Sequence, residues 1–197
     1  SGSLVYVAQT ADSLQQTGVN IGSNTAIPPE YITISNMGFQ SVDPLSNIFL
    51  VGQANNLRFQ NVGFYGPMTT GVLTSDVNNT VGVGFNSTTG LVCNQITFDG
   101  CVFSGTVYGV NTGQQIQGVT FTNSEFDTLY QGIVLGTGSV TNGGPTGMRI
   151  TSNLFNNIYH EGIVFGTVSL NASGHNVFYD VGNQFTGATG TPATSCI

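Results

Sequence analysis

Charge is what this sequence has least of: Lys and Arg together number 2, Asp and Glu 9, and charged residues make up 6% of the 197, for a formal net charge of -7. Arg58 and Arg149 are the only cations. Neutralising a phosphate backbone takes several, so nucleic acid is not an expected partner. Tryptophan, the side chain best suited to stacking on sugars, is missing. No window approaches the roughly 18 to 20 continuous apolar residues of a membrane span, and no charged segment followed by an apolar one opens the chain. Helical periodicity with caps is hard to find anywhere. The spacing of His and Cys fits no metal site, and neither a nucleophile elbow nor a phosphate loop occurs, so no metal or cofactor is expected.

Cysteine is scarce too. Cys93, Cys101 and Cys196 form no CxxC and cannot all pair with one another. Buried free thiols are the first expectation and a Cys93 to Cys101 disulfide the alternative. Glycosylation sequons start at Asn78, Asn86 and Asn171; in a chain this rich in Asn, Ser and Thr they read as chance matches.

What the chain does have is apolar content, 39% with 13 Phe and 7 Tyr, enough for the core of one domain and too much for disorder. It also repeats itself. Val119-Thr120-Phe121-Thr122-Asn123-Ser124-Glu125-Phe126 is followed by Tyr130 and Gly132-Ile133-Val134-Leu135-Gly136; Met148-Arg149-Ile150-Thr151-Ser152-Asn153-Leu154-Phe155 is followed by Tyr159 and Gly162-Ile163-Val164-Phe165-Gly166. The template, apolar-x-apolar-x-Asn-x-x-Phe, fits again at Ile32, Ile34, Asn36, Phe39 and at Leu57, Phe59, Asn61, Phe64. It fits at Ile96, Phe98, Phe103 with Gly100 in the Asn place, and in a degraded sixth form at Phe178, Gly182, Phe185. The anchoring Phe residues then stand at 39, 64, 103, 126, 155 and 185, spaced by 25, 39, 23, 29 and 30. The interval of 39 requires an insertion or an unrecognised coil, and residues 70–95 are expected to hold either an extra coil or a projecting excursion.

Each copy opens on strict alternation, the mark of a strand with one buried face, and its later Gly-Ile-Val segment supplies a second strand. Two or three short strands per repeat describe an all-β, right-handed parallel β-helix of six to seven coils stacked about 4.8 Å apart. A propeller blade would need four strands, and a sandwich would have no reason to repeat. The expected organisation is an expression remnant (Ser1-Gly2-Ser3), N-terminal strand and lead-in loop over 1–30, the β-helix over 31–186, and a tail over 187–197. Such a remnant would make the chain an excised piece of something longer. Inward columns are expected at Ile32/Leu57/Ile96/Val119/Met148, at Ile34/Phe59/Phe98/Phe121/Ile150, and at Phe39/Phe64/Phe103/Phe126/Phe155. Asn36, Asn61 and Asn123 are expected to take the left-handed conformation and form an amide ladder.

This combination resembles the right-handed parallel β-helix of the pectin-lyase-like superfamily, over roughly residues 31–186 and in repeat pattern only. Its members include polysaccharide lyases and hydrolases, phage tailspikes and other virion proteins. The resemblance implies Ca²⁺, clustered Asp and an Arg base for a lyase; neither Arg58 nor Arg149 has an Asp cluster beside it in the sequence pattern, so lyase activity is not expected.

Candidate chemistry is sparse. Glu125 and Asp127 flank Phe126 and, two apart in a strand, would face outward about 6.6 Å apart, near the carboxylate separation that glycosidases use; Asp99 would join them. The plainer reading is a pair of exposed acids on a polar sheet. Tyr130-Gln131 and Tyr159-His160-Glu161 precede equivalent Gly-Ile-Val strands, so Tyr130, Tyr159, His160 and Glu161 are candidate carbohydrate-binding residues, with Glu161 an additional candidate acid. The plainer reading there is Tyr packing at a coil corner with its hydroxyl in water. His175 reads as a loop residue.

The first functional expectation is therefore a non-enzymatic structural and host-attachment component of a phage virion, a tail spike, fibre or related tail protein, located in the virion. A polysaccharide-degrading enzyme and a bacterial surface adhesin passenger domain are the alternatives, secreted or at the cell surface. Scarce charge with a mean hydropathy of +0.14 predicts association: a homotrimer with outward Val134 and Val164 as a contact strip, with other virion tail proteins and cell-surface polysaccharide as further partners.

Overall fold

The computed structural model of the protein describes residues 3–7, 17–22, 28–41, 47–68, 80–85, 93–112, 116–135, 146–165 and 172–181. Among them every regular element is a strand. The first layer holds β1 (Ser3–Val7) and β2 (Thr17–Ile21), the second β3 (Glu30–Ser41) and β4 (Asn47–Val51), the third β5 (Asn55–Tyr65) and β6 (Val81–Phe85). In the fourth, β7 (Cys93–Asn94), β8 (Thr97–Asp99) and β9 (Val102–Ser104) precede β10 (Tyr108–Thr112); in the fifth, β11 (Ile116–Gln117), β12 (Thr120–Thr122) and β13 (Glu125–Leu129) precede β14 (Gln131–Leu135). Then follow β15 (Arg149–Thr151), β16 (Leu154–Ile158) and β17 (Ile163–Phe165), and last β18 (Ala172–Gly174) and β19 (Val177–Val181).

Strands β2, β4, β6, β10, β14 and β17 form one six-stranded sheet and the other thirteen a second sheet, with every pairing parallel. This is a parallel β-solenoid of about four turns. Four turns, from β3–β4 to β11–β14, have a neighbour on both sides in both sheets, and the layers beyond them are partial. The six to seven coils expected from the sequence counted those partial layers as whole ones.

The Phe columns stack as the alternation requires. Phe59, Phe98 and Phe121 lie face to face at 4.7 and 4.8 Å, and Phe103, Phe126 and Phe155 at 4.6 and 4.7 Å. Such offset aromatic stacks add to the area they bury. One sequence expectation changes here, and one open alternative is decided. Phe155 pairs with Phe178 and stacks on it at 4.9 Å, so the sixth anchor is Phe178; Gly182 and Phe185 lie outside the described residues. Phe64 stacks directly on Phe103 at 5.1 Å, and β6 bridges β4 and β10, so no extra coil intervenes in the interval of 39.

Bends without broken stacking come from residues in the left-handed region, and the structure has three columns of them, with φ between 49° and 70°. Tyr31, Asn56, Gln95, Gly118 and Gly147 make the first; Asn36, Asn61, Gly100, Asn123, Ser152 and His175 the second; Gly105, Thr128 and Asn157 the third. Only the second was legible as an Asn column, and it gains His175, which turns a corner between β18 and β19. Its amide ladder is present where two Asn are adjacent: Asn61 Nδ2 donates to Asn36 Oδ1 at 3.2 Å. Gly100 interrupts the ladder for a steric reason as well as a conformational one, since a Cβ there would lie 2.6 Å from Asn61 Oδ1. A second tight approach sets the Gly of the first Gly-Ile-Val strand: a Cβ on Gly132 would fall 2.3 Å from the Gly162 carbonyl oxygen.

Cys93 and Cys101 are buried free thiols, so the disulfide alternative does not hold; Cys196 lies outside the described residues. Both donate to carbonyls, Cys93 to Gly52 and Cys101 to Phe59. Burial pushes each thiol up to about 11. No helix among the described residues is long and apolar enough to cross a membrane.

Candidate functional site

Strand β13 presents Glu125 and Asp127 at alternate, partly exposed positions on either side of buried Phe126, as alternation predicts. Their surroundings differ. Asp127 Oδ1 accepts from Asn156 Nδ2 and Asn157 Nδ2, both at 2.9 Å, and its Oδ2 accepts from Thr128 Oγ1 at 2.8 Å. Glu125 stands in register between Val102 and Leu154, and its carboxylate has no hydrogen-bond partner among the described residues. Asp99 is engaged elsewhere: Arg58 reaches its Oδ2 at 3.1 Å and Asn123 Nδ2 donates to its Oδ1 at 3.1 Å. Asp99 and Asp127 therefore share no partner, and the three acids are not linked by any hydrogen bond.

The aromatic corner lies where β13 gives way to β14 and β16 to β17. Leu129 pairs with Ile158 and Ile133 with Ile163, so four steps in one layer face five in the next. The extra residue falls after Tyr159, at His160-Glu161: Tyr159 N donates to the Leu129 carbonyl and His160 N to the Tyr130 carbonyl, which keeps Tyr159 level with Tyr130, while Gly132 N donates to the Glu161 carbonyl. Tyr159 is fully buried, packed with Met68 and Val107. Tyr159 is thus the equivalent of Tyr130 in the next layer, as the repeats suggest, but its buried ring is not available to a ligand as a carbohydrate platform. The ring that stacks on Tyr130 is His160, at 5.4 Å and 13°, while Tyr159 sits tilted at 5.2 Å. Glu161 accepts from Gln131 Nε2 and pairs with His160 Nδ1 through the same Oε2. Tyr130, His160 and Glu161 thus form one partly exposed cluster in which His160 stacks on Tyr130 and the Glu161 carboxylate is engaged by His160 and Gln131.

Among the described residues no three of His, Cys, Asp and Glu gather where they could hold a metal ion. The expected strip of Val134 and Val164 is in register, but Val134 is only 3% exposed, so it is not an outward contact. Exposed apolar groups gather instead on β16 and β19, at Leu154, Val177 and Tyr179.

A polar device went unread in the sequence. The residue after each second-column corner points inward, and from the fifth layer on it is Ser124, Asn153 and Asn176. Ser124 Oγ accepts from Cys101 N at 3.1 Å, Asn153 Oδ1 from Ser124 N at 2.9 Å, and Asn176 Oδ1 from Asn153 N at 3.0 Å. Asn153 Nδ2 and Asn176 Nδ2 donate to the carbonyls of Phe121 and Ile150. The available signal was the polar pair at each corner, Asn123-Ser124, Ser152-Asn153 and His175-Asn176.

Compared with known proteins, the chain matches no family model, no curated protein and no solved structure.

Proposed function

We propose that this chain is a non-enzymatic structural and attachment segment, a β-solenoid of the kind found in phage tail spikes, fibres and related virion proteins, as the resemblance of its repeats to the pectin-lyase-like superfamily implies. One observation carries the reading: the carboxylates that alternation places on the surface serve the stack. Asp99 is held by Arg58 and Asn123, Asp127 by Asn156 and Asn157, and Glu161 by Gln131 and His160, in each case across layers or at the corner. Glycoside hydrolysis needs two carboxyl groups in different protonation roles beside the same bond, and Glu125 has no second acid free to serve it. Exposed Leu154, Val177 and Tyr179, together with the near absence of charge, favour burial against another copy of the chain. A homotrimer is the proposed assembly.

Incubating the protein with a panel of bacterial surface glycans and measuring reducing ends tests the first part. No release is expected. Release by the parent protein that disappears in the Glu125→Gln, Asp127→Asn double variant would install the enzyme reading in its place. Light scattering at micromolar concentration tests the second, since a monodisperse species near the 20.5 kDa chain mass refutes the trimer.

A further inference from the structure

Tyr31 is the most anomalous residue on the surface. It is 79% exposed, so its ring gains almost nothing from burial, yet its backbone sits at φ 58°, a region that bulky side chains avoid. The same corner in later layers is filled by Asn56, Gln95, Gly118 and Gly147, residues that tolerate the conformation better or have no side chain to place. An exposed aromatic ring kept in a strained conformation marks a ligand contact more readily than a packing role.

What lies beside it gives the ligand's chemistry. A groove of about 340 Å³ runs across three layers between two columns of the stack, at the lower end of the range for small-molecule sites. Tyr31, Asn56 and Gln95 form one wall and Thr33, Arg58 and Thr97 the other. The groove therefore offers one aromatic face, two carboxamides, two hydroxyls and a guanidinium. Arg58 is half exposed and uses Nη2 on Asp99, so it brings spare N–H groups to the groove from a fixed position.

We propose that this groove binds a neutral oligosaccharide. The apolar C–H face of a pyranose packs on Tyr31, and the spare N–H groups of Arg58 donate to an adjacent hydroxyl. Carboxamides and Thr hydroxyls, each both donor and acceptor, suit the remaining hydroxyls without imposing a charge. An acidic glycan fits less well, because Asp99 already neutralises Arg58 and the chain carries a net charge of -7.

The site deepens the attachment half of the function proposed above and does not depend on the virion assignment. Its test is titration calorimetry of the full chain with tetra- to hexasaccharides of glucose, galactose and mannose, with uronate-containing oligomers of the same length as a second arm. At least one neutral oligomer is expected to bind, with Tyr31→Ala weakening it by about tenfold or more and Tyr31→Phe changing it by about twofold or less, since the ring and not the hydroxyl does the stacking. Arg58→Gln is expected to weaken it severalfold. Because Tyr31 is exposed, the thermal midpoints of its variants should stay near that of the parent. Binding by uronate oligomers alone, binding indifferent to Tyr31→Ala, or no binding by any neutral oligomer overturns the proposal. Cleavage of a bound oligomer would refute the non-enzymatic reading and leave the site standing; an absence of binding and of cleavage would remove the site and leave that reading intact.

Discussion

The same inward position is built in two ways at the two ends of this solenoid. After the second left-handed corner, the early layers place Met37, Val62 and Cys101, which join the apolar core. The later layers place Ser124, Asn153 and Asn176, whose side chains accept backbone N–H groups from the layer before and, for the two Asn, donate to carbonyls. Ser124 and Asn153 are each only 2% exposed, as deeply buried as the residues they replace. A corner leaves backbone groups that a straight strand would pair, and a buried polar group without a partner is costly. Met37 and Val62 leave the corner to apolar packing; Cys101 bridges it only through its thiol to the Phe59 carbonyl, and the later layers bridge it with oxygen and amide groups. Either solution preserves the stacking of the Phe columns on both sides.

Breaking the part common to both halves should have the largest effect. Phe126 stacks between Phe103 and Phe155, so Phe126→Ala is expected to lower stability by about 3 to 5 kcal/mol in chemical denaturation. Thr122→Ala, on the outward side of β12, should stay within about 0.5 kcal/mol. Equal losses would mean that the two faces are misassigned.

The two kinds of corner come next. Asn153→Ala strands the Ser124 N–H and the Phe121 carbonyl and should cost about 2 to 4 kcal/mol. Val62→Ala removes two methyl groups from the matching place and should cost about 1.5 to 2.5 kcal/mol. If the Val62 variant loses more, the polar ladder is decoration on a corner that packing alone maintains.

Alkali should weaken the early half. Burial raises Cys93 and Cys101 from 9.0 to about 11. Folding therefore retains protons that the unfolded chain releases above pH 9, so their contribution is complete below that value and is lost as pH rises towards 11. Urea midpoints measured across this window should fall, and should fall less in the Cys93→Ala, Cys101→Ala double variant.

Much of the architecture was readable because it repeats. Alternation at Val119 to Phe126 fixed the inward faces, and the anchoring Phe residues fixed the stacking down to Phe155. Where one layer gains a residue, the reading fell short: Tyr130 and Tyr159 are level in the stack as their repeats suggest, but the inserted step at His160-Glu161, beside which the His160 ring lies on Tyr130, appears only when Leu129 is paired with Ile158 and Ile133 with Ile163. The Tyr31 corner was hidden for the opposite reason, since Tyr31, Asn56, Gln95, Gly118 and Gly147 share a backbone conformation and no chemistry. The acids were found at the right places, but whether a carboxylate is spent on its neighbours depends on the residue one layer away, some 29 positions distant for Asp127 and Asn156.

That pair offers the most direct test of the central claim, that the acids of this solenoid hold its layers. Asn156 Nδ2 donates to Asp127 Oδ1 at 2.9 Å while Asn156 Oδ1 is buried without a partner, so Asn156→Ala removes an unsatisfied acceptor together with the bond and its own cost should be small. A double-mutant cycle separates the two effects. Combining Asp127→Ala with Asn156→Ala should reveal a coupling of about 0.5 to 1 kcal/mol in urea denaturation. Additivity within about 0.3 kcal/mol would show that Asn156 does not hold Asp127 across the layers, and would contradict the account.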